Sequence, residues 1–140
     1  MNRRSFLWTL SVLPFLSLPA FAMGPRWVNY KPGLVEEALD DGLTVLLDFA
    51  ADWCSTCKRQ ERVIGQLRGE NPNYDAILFV RVNWDIYRTA DITRDLKVPR
   101  RSTLVLLKGQ DELGRLVAQT STDRIKGLLD IGLEAATTES

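Results

Sequence analysis

The sequence predicts one α/β domain in which helices cover both faces of a central mixed β-sheet. Apolar runs typical of strands alternate along the chain with helical patterns, and this order favours βαβ units. Two of the runs, Thr44–Ala50 and Ala76–Val82, lack the polar alternation of a half-exposed strand. Such continuous runs are typical of strands buried on both faces. The chain of 140 residues is 45% hydrophobic and 26% charged, which fits a single globular core.

The first half of the domain is predicted to contain two strands and two helices. A short edge strand around Trp27–Tyr30 is followed by a helix that begins at Pro32-Gly33 and ends at Asp41-Gly42. The buried strand Thr44–Ala50 comes next. A helix from about Cys54 to Leu67 follows, because an apolar stripe recurs there at helical spacing. The stripe consists of Val63, Ile64 and Leu67.

The second half is predicted to join a parallel strand to an antiparallel hairpin. Its elements are a turn at Asn71-Pro72-Asn73, the strand Ala76–Val82, a short helix near Thr89–Leu96, a strand at Thr103–Leu107, a reversal at Gly109–Gly114 and a strand at Leu116–Thr120. Glycine and proline mark both turns, and the apolar runs between them have the length of strands. The predicted order of elements is therefore β-α-β-α-β-α-β-β-α.

The last helix is predicted to begin near Thr122 and to pack through one apolar side. That side carries Ile125, Leu128, Leu129 and Leu133. Gly127 and Gly132 each cost the helix about 1 kcal/mol relative to alanine. Packing against the sheet must therefore hold this helix in place.

The first 22 residues are predicted to be a signal peptide rather than part of the domain. Arg3-Arg4 precedes an apolar stretch that ends at Leu18, and Ala20-Phe21-Ala22 is typical of a cleavage site. We expect cleavage after Ala22, a domain at 23–140 and a periplasmic protein. The paired arginines resemble a twin-arginine export signal, with the general secretory route as the alternative. A membrane anchor is disfavoured because the stretch is short and interrupted by proline.

The charge balance argues against a nucleic-acid partner. The chain contains 18 basic and 18 acidic residues, so no excess of positive charge is available to bind a polyanion.

Export to an oxidising compartment would favour a disulfide between the two cysteines, and only one bridge is possible.

Cys54 and Cys57 form a C-x-x-C pair at the predicted start of a helix. Cysteines at this spacing project from the same side, and the unpaired N–H groups of a helix start favour negative charge. We therefore expect Cys54 to be a stabilised thiolate that attacks a disulfide and Cys57 to resolve the mixed disulfide. Half of a zinc site or an inert bridge is the alternative. A tetrahedral metal site needs more ligands, and the chain has no histidine and no second cysteine pair.

Without histidine, any base near the thiols must be a carboxylate, a lysine or water. Asp48 lies inside the buried strand, where a carboxylate tends to keep its proton and can exchange it with Cys57. The alternative is that Asp48 meets water at the end of the strand. Glu61 lies four residues beyond Cys57, but glutamate on an exposed helix face is ordinary, so its role stays open. Trp53 is predicted to offer an apolar surface to an incoming peptide, although aromatic residues often serve as core.

The segment Asp48-Phe49-Ala50-Ala51-Asp52-Trp53-Cys54-Ser55-Thr56-Cys57-Lys58 resembles the active-site segment of the thioredoxin superfamily. Ala51-Asp52-Trp53-Cys54, Cys57-Lys58 and Glu61 are most similar to the periplasmic C-terminal domain of the DsbD thiol:disulfide interchange family. The resemblance implies a thioredoxin-like fold, with Asp48 as the family's buried acid and Glu61 as the second acid of DsbD-like domains. Arg81 matches a lysine that neighbours the buried acid in thioredoxins.

One position departs from the family pattern. The substrate loop of the family carries a cis-proline before a strand that begins with threonine, whereas this chain has Ser102 before Thr103. A non-proline cis bond costs about 2.5–4 kcal/mol. We therefore expect a trans Arg101–Ser102 bond, a loop displaced from the family geometry and Arg101 beside Cys54. Arg101, Ser102 and Thr103 are predicted, with Trp53, to bind substrate.

These features predict a monomeric periplasmic enzyme that reduces or exchanges protein disulfides through a Cys54–Cys57 cycle. Electrons would come from a membrane or soluble thiol donor, and the cycle needs no organic cofactor or metal. A thiol oxidase with the same fold is the first alternative, since the reduction potential sets the direction of electron flow. A non-catalytic module that binds a partner or a metal is the second.

Overall fold

The computed structural model describes residues 26–138 and confirms the predicted α/β class. The predicted signal peptide lies outside these residues. The strands are β1 (Val28–Asn29), β2 (Thr44–Ala50), β3 (Leu78–Asn83), β4 (Thr103–Lys108) and β5 (Asp111–Val117). The helices are α1 (Leu34–Asp40), α2 (Ser55–Glu70), α3 (Trp84–Tyr87), α4 (Asp91–Asp95) and α5 (Thr122–Thr137), and a 3₁₀ turn at Pro72–Ala76 precedes β3.

The five strands form one mixed sheet with the order β1-β3-β2-β4-β5. β1 and β2 both pair parallel with β3, whereas β4 pairs antiparallel with β2 and β5 pairs antiparallel with β4. β2 is the central strand, and all seven of its residues are buried. The prediction of a parallel half joined to an antiparallel hairpin is confirmed.

Each face of the sheet has its own hydrophobic core. α1 and α4 cover one face, where Val45, Leu47 and Phe49 of β2 point. α2 and α5 cover the other face, which receives Leu46. Because side chains alternate along a strand, Asp48 lies on the same face as Leu46, beneath α2. The fold thereby places a buried carboxyl group on the side of the helix that carries the cysteines.

The hairpin differs from its prediction. β5 begins at Asp111 rather than Leu116, so the predicted reversal over Gly109–Gly114 is wrong and the turn is confined to Gly109-Gln110. The polar start of β5 is possible because this strand lies at the sheet edge. Gly114 lies within β5, where an added Cβ would come within 2.9 Å of Leu128. A missing side chain there permits close packing of α5.

Gly132 explains how α5 tolerates one of its glycines. An added Cβ at this position would come within 2.7 Å of the Ile77 side chain and 3.0 Å of Leu106. The helix backbone therefore approaches the sheet more closely than an alanine would allow.

No helix within residues 26–138 is long and apolar enough to cross a membrane.

Candidate active site

The two cysteines lie where β2 gives way to α2. Cys54 is the N-cap of the helix, and its sulfur accepts a hydrogen bond from the backbone N–H of Cys57 at 3.2 Å. Both thiols are free, so the pair is in its dithiol form. Cys54 is 3% exposed and Cys57 is fully buried. Any approach from solvent therefore reaches Cys54 first.

The environment pushes the two thiol pKa values in opposite directions. Burial alone would raise the pKa of Cys54, but hydrogen bonds from the Cys57 thiol, the Ser102 hydroxyl and the Cys57 backbone amide, together with the Arg101 side chain, lower it to about 7. Burial raises the pKa of Cys57, and its bond to the Cys54 sulfur adds to that rise. Near neutral pH the arrangement favours a thiolate on Cys54 and a thiol on Cys57.

Asp48 is fully buried, and neither of its carboxyl oxygens has a hydrogen-bond partner in the described part of the chain. Burial raises the pKa of Asp48 well above its ordinary value, the carboxylate of Glu61 raises it further, and Arg81 opposes both. The group therefore prefers its protonated form. It can donate that proton, and once ionised it can accept one.

Arg81 links the buried acid to the surface. It is the register partner of Asp48 on β3, and its guanidinium bonds to Glu61 at 3.1 Å and to Asp52 at 2.9 Å. Glu61 is thus held by an ion pair on the Asp48 side of α2 instead of extending into solvent. Arg81 therefore supplies a positive charge beside the buried acid, at the position where the family resemblance implies a lysine.

Trp53 forms the exposed rim of the site. Its side chain is 59% exposed, and its indole N–H donates to both carboxylate oxygens of Asp85 at 3.1 Å. The Arg101 guanidinium lies 4.4 Å from the centre of the indole ring, a cation–π contact. Arg101 Nε is buried without a hydrogen-bond partner among the described residues. The rim is therefore a flat aromatic surface with the Arg101 guanidinium on its face and the Asp85 carboxylate at its N–H edge.

The loop before β4 brings Ser102 to the cysteines. The described residues contain no cis peptide bond, which confirms the predicted trans Arg101–Ser102 bond, and Ser102 adopts a positive φ of 62°. Ser102 is fully buried, with its hydroxyl oxygen 3.2 Å from the Cys54 sulfur and 3.1 Å from the Cys57 sulfur. Thr103 is also buried, and its hydroxyl donates to the Arg100 carbonyl at 2.7 Å. Its side chain therefore supports the loop.

Gln60 is a site residue that the sequence analysis missed. It is fully buried, and its side-chain amide donates to the carbonyls of Ser102 at 3.1 Å and Gln119 at 2.9 Å. A signal was present in the sequence, because Gln60, Ile64 and Leu67 have the spacing of one helix face. A polar residue in an apolar stripe implies a buried hydrogen bond.

The described residues offer little for a metal ion. No group of three or more His, Cys, Asp or Glu side chains within residues 26–138 could hold one. The chemistry available at this place is that of the two thiols and their neighbouring acids.

The sequence profile of the thioredoxin family matches residues 32–130, well over half of the chain. Over 73 residues the chain is 34% identical to Thioredoxin H2-1 of Oryza sativa subsp. japonica, an alignment that covers 52% of this chain and 49% of that protein. It is 28% identical over 107 residues to Thioredoxin H-type of Picea mariana, covering 76% and 81% respectively. The chain thus spans about half the length of the first relative and most of the second.

Solved structures show the same architecture. Trxlp from Edwardsiella tarda EIB202 has a TM-score of 0.64 and 31% identity, and the match covers 74% of this chain and 98% of that one. Thioredoxin NaTrxh from Nicotiana alata has a TM-score of 0.60 at 23% identity, covering 77% and 93%, a likeness of fold alone. The predicted thioredoxin-like fold is confirmed.

Proposed function

Because the chain belongs to the thioredoxin family, we propose that it is a thiol:disulfide oxidoreductase that reduces or exchanges the disulfides of proteins. The observation that carries the proposal is the free Cys54/Cys57 pair at the start of α2, whose pKa values are shifted in opposite directions. One thiol is prepared to attack and the other to keep its proton until needed. Electrons come from a membrane or soluble thiol donor.

The proposed cycle moves two electrons from the dithiol to the substrate. The Cys54 thiolate attacks one sulfur of the substrate disulfide, which forms a mixed disulfide and releases the first substrate sulfur as a thiolate. Cys57 then loses its proton and attacks the Cys54 sulfur, which forms the Cys54–Cys57 disulfide and releases the second substrate thiol. The donor reverses these steps to restore the dithiol.

Asp48 is proposed to exchange a proton with Cys57, supported by its burial beneath α2. Its ionised form is the acceptor, and the raised pKa of Asp48 makes that form a stronger base than an ordinary carboxylate. Glu61 is proposed to assist, since its charge adds to the rise in the Asp48 pKa and Arg81 holds it in place. The pairing of two acids at one C-x-x-C site supports the narrower resemblance to DsbD-like domains, which we retain as a proposal.

The pKa of Cys54 favours a reductase over a strong oxidant. Its value of about 7 is close to that of reducing thioredoxins, about 7, and far from the value of about 3.5 for the oxidant DsbA. A more acidic thiolate would stabilise the reduced form and make the disulfide a stronger oxidant. The intact pair also disfavours a module that only binds a partner.

Equilibration of the domain with glutathione or dithiothreitol buffers tests this function directly. We expect a reduction potential near about −270 mV, which is typical of thioredoxin. A potential near about −120 mV would assign the protein to the oxidants. Absence of any reversible Cys54–Cys57 couple would favour the binding module.

Trp53 and Arg101 are proposed to position the substrate, whereas Thr103 is buried and its hydroxyl bonds to the Arg100 carbonyl. The exposed indole and the guanidinium stacked on it suit a peptide with an acidic side chain near its disulfide. We expect Arg101→Gln to lower the preference for an acidic over a neutral disulfide peptide about fivefold, the effect of about 1 kcal/mol from one partly screened charge.

Arg100→Gln is the matched control. Arg100 is exposed, and its substitution removes the same charge one residue away from Arg101. The ratio of kcat/KM values for the two peptides is the measurement, since a general loss of thiolate reactivity cancels in that ratio. Equal ratios in the Arg101 variant and the control would remove Arg101 from substrate recognition.

The protein is proposed to act in the periplasm, supported by the Arg3-Arg4 pair and the Ala20-Phe21-Ala22 pattern. Arg3→Lys combined with Arg4→Lys is expected to retain most of the precursor in the cytoplasm, because twin-arginine export depends on the arginine pair. Cell fractionation and immunoblotting measure this. Undiminished mature protein in the periplasm would assign export to the general secretory route.

A further inference from the structure

Ser102 places a hydroxyl group between the two reactive sulfurs. Its oxygen lies 3.2 Å from the Cys54 sulfur and 3.1 Å from the Cys57 sulfur, and the residue is fully buried. Because Ser102 is fully buried, bulk water does not compete for this hydroxyl, and the two sulfurs are its hydrogen-bond partners. The family resemblance assigns no role to a hydroxyl here, since the matching residue is a proline.

The loop holds the hydroxyl in this position. The Ser102 N–H donates to the Phe49 carbonyl at 2.7 Å, and the Ser102 carbonyl accepts from the Ala118 N–H at 2.8 Å and from Gln60 at 3.1 Å. The backbone adopts a positive φ of 62°, which is uncommon for a residue with a side chain. Two backbone–backbone hydrogen bonds and one from the Gln60 side chain therefore fix a conformation that aims the Ser102 side chain at the cysteines.

A serine hydroxyl has one proton to donate and two lone pairs to accept with. Between a Cys54 thiolate and a Cys57 thiol it can donate to the former and accept from the latter at the same time. Both bonds require the reduced pair. Once the disulfide forms, Cys54 loses its charge and Cys57 loses its S–H, so the hydroxyl no longer has a strong partner on either side.

We propose that the Ser102 hydroxyl is a hydrogen-bond bridge that stabilises the reduced pair, donating to the Cys54 thiolate and accepting from the Cys57 thiol. The bridge makes the Cys54–Cys57 disulfide easier to reduce than it would be with an apolar residue at this position. This inference rests on the proposed redox function and adds a determinant of its reduction potential.

Other groups near Cys54 must stay constant in a test. Cys57 faces Cys54 from α2, Arg101 faces it from the loop, and Asp48 lies on β2. Cys57 and Arg101 affect the pKa of Cys54, and the Cys54 thiolate in turn raises the pKa of Asp48. Glu61 and Arg81 act on Asp48 in turn. Substitutions confined to Ser102 leave all of these side chains in place.

The test compares Ser102→Ala with Ser102→Gly. Both remove the hydroxyl, but glycine adopts a positive φ without strain whereas alanine does not. If the hydroxyl acts, we expect both variants to raise the pKa of Cys54 by about one pH unit, which lowers the thiolate fraction at pH 7 about fivefold. The equilibrium with glutathione should shift towards the disulfide by about twofold at pH 7. The shift should reach about tenfold at pH 9, where Cys54 is ionised in both proteins, or about 30 mV towards a more reducing couple.

Thr103→Ala is the matched control. It removes a buried hydroxyl from the same loop, but that hydroxyl bonds to the Arg100 carbonyl and to neither sulfur. We expect this variant to lose stability while its thiolate absorbance titration and glutathione equilibrium stay at the wild-type values. A pKa rise of equal size in the control would attribute the effect to loop disturbance and overturn the bridge.

An unchanged Cys54 pKa in both Ser102 variants would also overturn the proposal. So would a change confined to one of the two variants, because both remove the hydroxyl and an effect in alanine alone would be due to backbone strain. Failure of the wild-type protein to reduce insulin disulfides is a separate result, which would overturn the proposed function. The thiolate titration of the variants does not depend on that assay, so the two failures can be told apart.

Discussion

Replacing Cys57 with serine is expected to leave the protein covalently bound to its substrates. The Cys54 thiol can still ionise and attack a disulfide, because the Ser102 hydroxyl and the backbone amide of residue 57 still lower its pKa, but no second thiol remains to release it. The mixed disulfide should therefore accumulate, and multiple-turnover reduction of insulin should fall to the uncatalysed rate. Non-reducing electrophoresis with mass spectrometry identifies the trapped species.

Cys54→Ser is the matched variant, since it removes one sulfur from the same pair. It should lose turnover equally but trap nothing, because the remaining thiol is fully buried and has a raised pKa. Trapping by Cys54→Ser but not by Cys57→Ser would reverse the two roles. The double variant sets the background for adventitious disulfides.

The burial of β2 could be predicted from the sequence because its apolar run has no alternation. Asp48 within that run has no charged neighbour in the strand itself, and the pattern alone indicated a carboxyl group inside the core. The position of the cysteines at a helix start followed from the same reading, because α2 begins where the apolar run of β2 ends. Local patterns therefore defined the centre of the site.

The contacts that cross the fold could not be predicted in this way. The bond between Trp53 and Asp85 joins residues that are 32 positions apart, and the contacts of Ser102 with the two sulfurs span 48 and 45 positions. Each depends on how the loop before β4 and the start of α3 meet the end of β2. The substitution at Ser102 was visible in the sequence, but the direction of its side chain depends on a positive φ that residue type does not indicate.

The start of β5 was mispredicted for a related reason. Asp111-Glu112 is polar and follows a glycine turn, which favours a loop, yet the edge of the sheet allows these side chains to face solvent while the backbone pairs with β4. The sequence predicts a turn at Gly114, whereas this glycine lies in a strand and provides space for Leu128 of α5. The glycine is required by tertiary packing, which the local pattern does not indicate.

Asp48→Asn is expected to stabilise the fold and slow the enzyme. Asp48 is fully buried, and neither carboxyl oxygen has a hydrogen-bond partner within residues 26–138, so ionisation of this group in the folded state is costly. Burial raises its pKa well above the ordinary value, with a further rise from Glu61. The amide has a similar shape and cannot ionise, so it removes this cost.

The gain in stability should depend on pH. Below about pH 4 the carboxyl group is protonated in the folded and unfolded states alike, and the two proteins should be equally stable apart from a constant offset. Between there and the raised folded-state pKa, only the unfolded wild type releases the proton, so wild-type stability falls as the pH rises. The variant should therefore gain stability relative to wild type as the pH rises from 4 to 8, at about 1.4 kcal/mol per pH unit at most, while only the unfolded wild type is ionised.

Urea unfolding at pH 4 and pH 8 measures that gain, with Asp95→Asn as the control. Asp95 is exposed on α4, so its substitution should give the same small change at both pH values. If the free energies of unfolding of Asp48→Asn and the wild type differ by the same amount at pH 4 and pH 8, the Asp48 carboxyl group does not titrate as a buried acid.

Resolution of the mixed disulfide should slow about a hundredfold in the same variant at pH 7, near the lower end of what a positioned base contributes. Cys57 must lose its proton to attack, and its own pKa is raised. The ionised form of Asp48 is the proposed acceptor beneath α2, and the raised pKa of Asp48 makes that form a strong base. A structural defect would lower stability and activity together. A more stable protein with slower resolution is the result expected from loss of a proton acceptor, whereas an unchanged rate profile between pH 6 and pH 9 would leave Asp48 without a role in the chemistry.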